Sequence, residues 1–241
     1  MTRKYVWIST TILLLLSFAI SGCNEGATEP TPLATAPDGE PSLDLAKDAL
    51  ALAPTGDPSP EEIVDLLFIR EEEKMARDVY LVLGEQYEAD GLPIFFNIAA
   101  SEQRHMDAVK RLLDGFGLED PVGDNGIGEF FSDAIQGLYD QLLQDGQVGL
   151  AEGLAVGAFI EEYDILDLEH AIDRAELPEI IKVYEHLRDG SLNHLRAFVP
   201  AYEMVSGQAY VPELILQADF DAIMGDIPDH GGNGNQGGNG S

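Results

Sequence analysis

Residues 94–116 read IFFNIAASEQRHMDAVKRLLDGF. Positions 95, 98, 102, 105, 109 and 112 recur at intervals of three and four, so they share one face of a helix. Phe95, Ile98, Val109 and Leu112 make that face apolar, and Glu102 and His105 interrupt it. An ionised Glu on a core-facing stripe is costly unless it is paired or holds a cation. The Glu-Gln-Arg-His motif alone admits two readings, a buried Glu–His ion pair or a pair of metal ligands on adjacent turns.

The same intrusion recurs on three other predicted helices. The first starts at Pro60 behind Ser59, with Glu61 and Glu62 in its first turn, and runs to about Tyr87. Its stripe of Ile63, Leu66, Ile69, Ala76, Tyr80 and Leu83 is broken by Glu71-Glu72-Glu73, and the pattern does not choose between Glu72 and Glu73. A short connecting helix is expected over 129–143. A third long helix, 147 to about 174, carries Glu161-Glu162-Tyr163-Asp164 among Leu154, Gly157, Ile165 and Leu168. A fourth, 178 to about 205, places His194 in line with Ile180, Tyr184, Leu187, Ser191 and Phe198. Strand-like alternation is absent. Four long helices with a long connection between the second and third predict an all-α chain, with the crossover topology of ferritin-like four-helix bundles among the matching folds. Carboxylate bundles of that kind hold two metals with one Glu on each of two helices and Glu-x-x-His on the others. Mixed carboxylate and imidazole ligands suit iron or manganese.

Charge narrows the partners. Against 13 Lys and Arg stand 44 Asp and Glu, a net charge of −31. A nucleic acid or an anionic lipid surface needs a basic face, so neither is an expected partner. The acidity serves solubility first and the attraction of cations second. The sole cysteine, Cys23, excludes an internal disulfide, a thiolate zinc cluster and an iron–thiolate module.

Cys23 ends a segment that reads as an address. Arg3 and Lys4 precede a mostly apolar run from Val6 to Ile20, which closes in Ile20-Ser21-Gly22-Cys23. The run is short for a membrane span and ends in small residues, as secretory signals do. Its last four residues resemble a bacterial lipobox, which implies cleavage before Cys23 and lipid on its thiol. Seven of the 13 prolines fall within 24–60, which reads as a tether with a short helix over 43–52. The folded region is expected over 61–216. Residues 217–241 form an extension that becomes almost all Gly and Asn from Asp229. The expected location is outside the cytoplasm, on the bacterial cell envelope, with membrane contact through the N-terminal lipid only.

The motifs resemble known proteins. Glu73 with Ala76 and Tyr80, and Asn97-Ile98-Ala99 before Glu102 and His105, resemble the first two helices of rubrerythrins. Arg70 to Tyr80, Ser101 to Met106, Ile160 to Ile165 and Gly190 to Phe198 resemble the family called domain of unknown function 2202, over about 61–216. The resemblance implies Glu73, Glu102, His105, Glu161 and His194 as ligands of two irons, with manganese as the alternative metal. One departure stands out: Ser191 and Gly190 occupy the places where the fourth helix should carry a Glu before its His. Asp164, one turn beyond Glu161, is the substitute carboxylate, and Glu162 competes with Glu161. A mononuclear or asymmetric site is the other consequence. His170 and His186 are expected to play no part, and Tyr80 and Tyr163 to pack or to hydrogen-bond near the ligands.

The resemblance therefore implies a ferroxidase-type or peroxide-scavenging oxidoreductase acting on Fe(II) with oxygen or peroxide, and it leaves room for a homodimer. Rubrerythrins feed electrons through a rubredoxin-like module that needs four cysteines, which this chain lacks. Fe(II), which brings its own electrons, is the expected reductant. The competing class is a metal-free lipoprotein serving as a binding or envelope-interaction module, with the inward acids and imidazoles as structural ion pairs. The address itself is testable. Cys23→Ser is expected to move the protein from the membrane fraction to the soluble one on cell fractionation; a variant that stays with the membrane would argue for an uncleaved anchor.

Overall fold

The structure, a computed structural model, describes residues 54–225. The address segment with Cys23, the tether to residue 53 and the Gly/Asn-rich tail lie outside the described residues. Within them the chain is all-helical: α1 (Pro60–Gln86), a short 3-10 turn (Glu88–Asp90), α2 (Ile94–Phe116), α3 (Asp133–Gly146), α4 (Leu150–Arg174), α5 (Pro178–Ser206) and α6 (Gln217–Gly225). No strand occurs among the described residues. No helix among them is long and apolar enough to cross a membrane.

Local chemistry sets the helix ends. Ser59 and Glu62 form a reciprocal cap: the Ser59 N–H donates to Glu62 Oε2 at 2.8 Å and the Glu62 N–H to Ser59 Oγ at 3.2 Å. The other Glu62 oxygen accepts the N–H groups of Glu176 and Leu177 at 2.8 and 2.9 Å. One carboxylate thus starts α1 and fixes the turn between α4 and α5. Gly117 (φ 69°) and Gly207 (φ 70°) end α2 and α5 in the left-handed conformation that favours glycine.

The main pairings are α1 with α2 and α4 with α5, with α1 also against α4 and α2 against α5. All four long helices feed one apolar cluster that includes Leu66, Leu112, Leu168 and Leu187. At the α4–α5 contact a Cβ on Gly157 would lie 2.4 Å from the Phe198 ring, so only glycine permits that approach. α3 packs on α1 and α4, and α6 rests on α5.

The sequence reading differs at α3, at the start of α4 and at residues 217–225, and α3 runs on to Gly146 rather than 143. α3 begins at Asp133 rather than 129, because residues 126–132 are tied to α1. Glu71 accepts the N–H groups of Phe131 and Ser132, and Lys74 donates to the Gly126 carbonyl at 2.6 Å. α4 begins at Leu150 rather than 147. Residues 217–225 form α6, where no helix was expected; buried Phe220 holds it against Tyr210, ring centroids 5.8 Å apart.

Candidate metal centre

Four helices each bring a side chain to one buried point. Glu73 on α1, Glu102 and His105 on α2, Glu161 on α4 and His194 on α5 are all at most 5% exposed. They form two groups of three that share Glu102. In each group one possible ligand atom per residue lies within 4.8 Å of the others: Glu73, Glu102 and His105; Glu102, Glu161 and His194. Glu102 Oε2 is 2.8 Å from His105 Nδ1, and its Oε1 is 2.8 Å from His194 Nδ1. Glu73 Oε2 is 3.2 Å from the same His105 nitrogen, and Glu161 Oε2 is 3.3 Å from that of His194. The two imidazoles stack with centroids 5.6 Å apart.

The alternatives that periodicity left open separate by their hydrogen bonds. Glu162 is spent on structure. The Tyr210 hydroxyl donates to it at 2.7 Å, and the N–H groups of Glu213, Leu214 and Ile215 donate at 2.9, 2.7 and 3.1 Å. It holds the segment between α5 and α6, leaving Glu161 to face the centre. Tyr80 donates its hydroxyl to Glu161 Oε1. Of the two α1 candidates, Glu73 reaches His105; Glu72 is buried as deeply but joins neither group.

Asp164 also belongs to neither group. The Ser191 hydroxyl sits between Asp164 Oδ2 and the Leu187 carbonyl, 3.0 Å from the latter. So the residue in place of the missing Glu binds the substitute carboxylate. His170 lies on the surface, with its side chain 64% exposed. His186, which the sequence reading set aside, is half-buried with its ring edge-on to His105, centroids 5.8 Å apart. Its stripe is not that of His194, and only the approach of α2 to α5 brings it in.

Charge is unbalanced in this interior. Glu72, Glu73, Glu102, Glu161 and Asp164 are buried with two imidazoles between the two groups. Burial, with the negative charge of Asp164, pushes Glu72 and Glu73 well above the usual carboxylate range. Burial and Glu102 do the same to Asp164. Burial raises Glu161 to about 7, against the pull of His194. Burial also acts to raise Glu102, yet the His194 and His105 charges hold it well below the usual range. His194 is held well above the usual imidazole range: burial opposes its charge, and Glu102 and Glu161 outweigh that. Glu73 Oε1, Asp164 Oδ1 and both Glu72 oxygens are buried without a hydrogen-bond partner. Orphaned buried oxygens and a surplus of acids fit a site for divalent cations, and the oxygen and nitrogen donors fit iron or manganese.

Residues 62–226 match the family described as "Uncharacterized protein domain (DUF2202)". The chain belongs to that family. It is also similar to the uncharacterized protein MJ0754 of Methanocaldococcus jannaschii, 43% identical over 175 residues, which cover 73% of this chain and 92% of the relative. The crystal structure of the hypothetical protein MJ0754 from Methanococcus jannaschii DSM 2661 superposes with a TM-score of 0.69 at 42% identity. The match covers 72% of this chain and 97% of that one.

The pKa shifts fix the sign of a pH effect on the metal-free protein. Between pH 5 and 8 Glu161, raised to about 7, titrates in the folded centre, and His194, raised by folding, keeps a proton that the unfolded imidazole loses. The native state then holds protons that the unfolded chain releases, so stability falls as pH rises through this window. The depressed groups Glu62, Asp120 and Glu102 withdraw their contributions only in acid, below the ordinary carboxylate range. Chelator-treated protein is expected to lose about 2 kcal/mol or more between pH 5 and pH 8, from shifts worth about 1.4 kcal/mol per pKa unit. With saturating Mn(II) the slope should flatten or reverse, because ligands release protons on binding. Urea melts at both pH values check this, and metal-free protein equally stable at both would contradict it.

Proposed function

We propose that the four long helices form a ferritin-like bundle with α3 in the crossover, and that it houses a dinuclear iron or manganese centre which oxidises Fe(II) with oxygen or peroxide. The carrying observation is the Glu102 carboxylate, whose two oxygens lie 2.8 Å from two different imidazoles. One oxygen is thereby available to each half of a paired site. Glu73 and His105 would complete one half, Glu161 and His194 the other. Bound there, a metal pair supplies a two-electron redox couple for reducing oxygen or peroxide.

The chain's own groups orient and charge the site. Tyr80 donates to Glu161 Oε1, which leaves Oε2 turned toward His194. The protons held at Glu73 and Glu161 leave when a cation takes their place. Fe(II) is the substrate reductant. Two Fe(II) give up one electron each, and oxygen takes those electrons with two protons to become peroxide. The chain's sole cysteine cannot build an internal iron–thiolate donor. With Cys23 lipidated, the work would be done outside the cytoplasm, at the cell envelope.

The histidine–carboxylate contacts are also well-formed ion pairs, which favours a metal-free structural reading. That reading leaves the surplus of buried carboxylates unexplained. Glu102→Ala separates the two. It is expected to remove most bound iron while helicity is kept, and to lower metal-free stability, because both imidazoles lose the carboxylate they pair with. In stopped-flow absorbance with excess Fe(II), His194→Ala should slow oxidation by about tenfold or more, the typical cost of impairing a metal site. Full iron stoichiometry in Glu102→Ala, or wild-type rates no faster than free iron in buffer, would leave the structural reading ahead.

A further inference from the structure

Glu72 has no task in the centre described above. It is 1% exposed, and neither of its carboxylate oxygens has a hydrogen-bond partner. A buried carboxyl without a partner is costly even when protonated. An apolar residue would pack there without that cost. On α1 the step from Glu73 to Glu72 turns the side chain about 100° around the helix. Glu73 meets His105 of α2, whereas the charges that bear most strongly on Glu72 are Asp164 and Asp167 of α4.

Those acids form a ladder. Glu161, Asp164 and Asp167 recur every third residue on α4, each step rising about 4.5 Å along the axis. The inner rung is the centre itself. The middle rung is Asp164, 5% exposed, with Oδ1 unpartnered. The outer rung is Asp167, whose side chain is 32% exposed and lies 4.0 Å from the exposed His170. Tyr163 donates a hydrogen bond to Asp167. The nearby Arg174 is occupied by Asp65, at 2.8 and 3.0 Å. The mouth is therefore not guarded by an uncompensated cation.

We infer that Glu72, Asp164 and Asp167 form a cation transit site between α1 and α4, through which divalent metal passes from the surface to the centre at Glu73 and Glu102. The inference rests on the dinuclear reading and adds a route to it. Asp167 gathers the cation, and the free oxygens of Asp164 and Glu72 receive it next. Neither Glu72 nor Asp164 is needed to retain it at the end, since both stand outside the two ligand groups.

The test is metal loading of the full chain with Co(II), followed by its visible absorption after rapid mixing. Wild type, Glu72→Gln and Asp167→Asn are compared for rate and for final Co(II) per chain. Both variants are expected to reach the wild-type stoichiometry. Glu72→Gln should load about tenfold or more slowly and Asp167→Asn less so, within the range by which focused charge alters association rates. If Glu72→Gln does not fold, Asp167→Asn at the half-buried mouth carries the same comparison. Unchanged loading rates in the folded variants overturn the route and leave the dinuclear centre standing. Loss of tightly held Co(II) in Glu72→Gln makes Glu72 a ligand of the centre and overturns the transit role. Wild-type protein that takes up no Co(II) overturns the dinuclear reading and the route with it.

Discussion

The structure turns on one shared carboxylate. Glu102 sits where α1, α2, α4 and α5 converge, and its two oxygens face His105 and His194 at equal distance. Burial works against a charge there, and the two imidazoles outweigh it. Every other buried acid of the centre is then added to a place already holding one negative charge. Burial first, and the neighbouring acid charges with it, raises Glu73, Glu161 and Asp164 above the usual carboxylate range.

The surroundings are built to leave that arrangement alone. α1 divides its polar residues between two tasks. Glu73 and Tyr80 turn inward, while Arg70, Glu71, Lys74 and Asp78 fasten the long connection between α2 and α3. Arg70 grips Asp120 at 2.9 and 3.1 Å, and Asp78 accepts the Gly128 N–H at 3.0 Å. Lys74, fully buried, pairs with Asp78 and lies 4.4 Å from the centre of the Phe130 ring. Gly128 has φ 77° and the Tyr139 hydroxyl 2.8 Å from where a Cβ would stand, so no other residue suits that turn. On α4 the neighbours Glu161 and Glu162 divide in the same way, one toward the centre and one toward the segment leading to α6.

Helical periodicity made the general arrangement legible. The interrupted stripe of 94–116 predicted α2 at its observed bounds, and the intrusions on the other long helices marked each side chain that reaches the two groups. What periodicity could not do was separate adjacent positions. Glu72 and Glu73 are both fully buried, and so are Glu161 and Glu162; their difference lies in which partner each meets, a property of packing between helices. The role of Ser191 as a partner of Asp164 depends on contacts across α4 and α5 in the same way. The start of α3 was displaced because backbone N–H groups at 131 and 132 are claimed by Glu71, sixty residues earlier in the chain. α6 is short and owes its place to Phe220 and to an Arg196 hydrogen bond to the Ile223 carbonyl at 2.9 Å, neither of which leaves a periodic signature.

The central claim is that Glu102 joins two halves of one metal centre. Anomalous diffraction from crystals of iron-loaded protein, recorded on either side of the iron absorption edge, tests it most directly. The account predicts two peaks in each molecule, one beside Glu73 and His105 and one beside Glu161 and His194, with Glu102 between them. A single peak away from Glu102, or none in the interior at saturating iron, would contradict it.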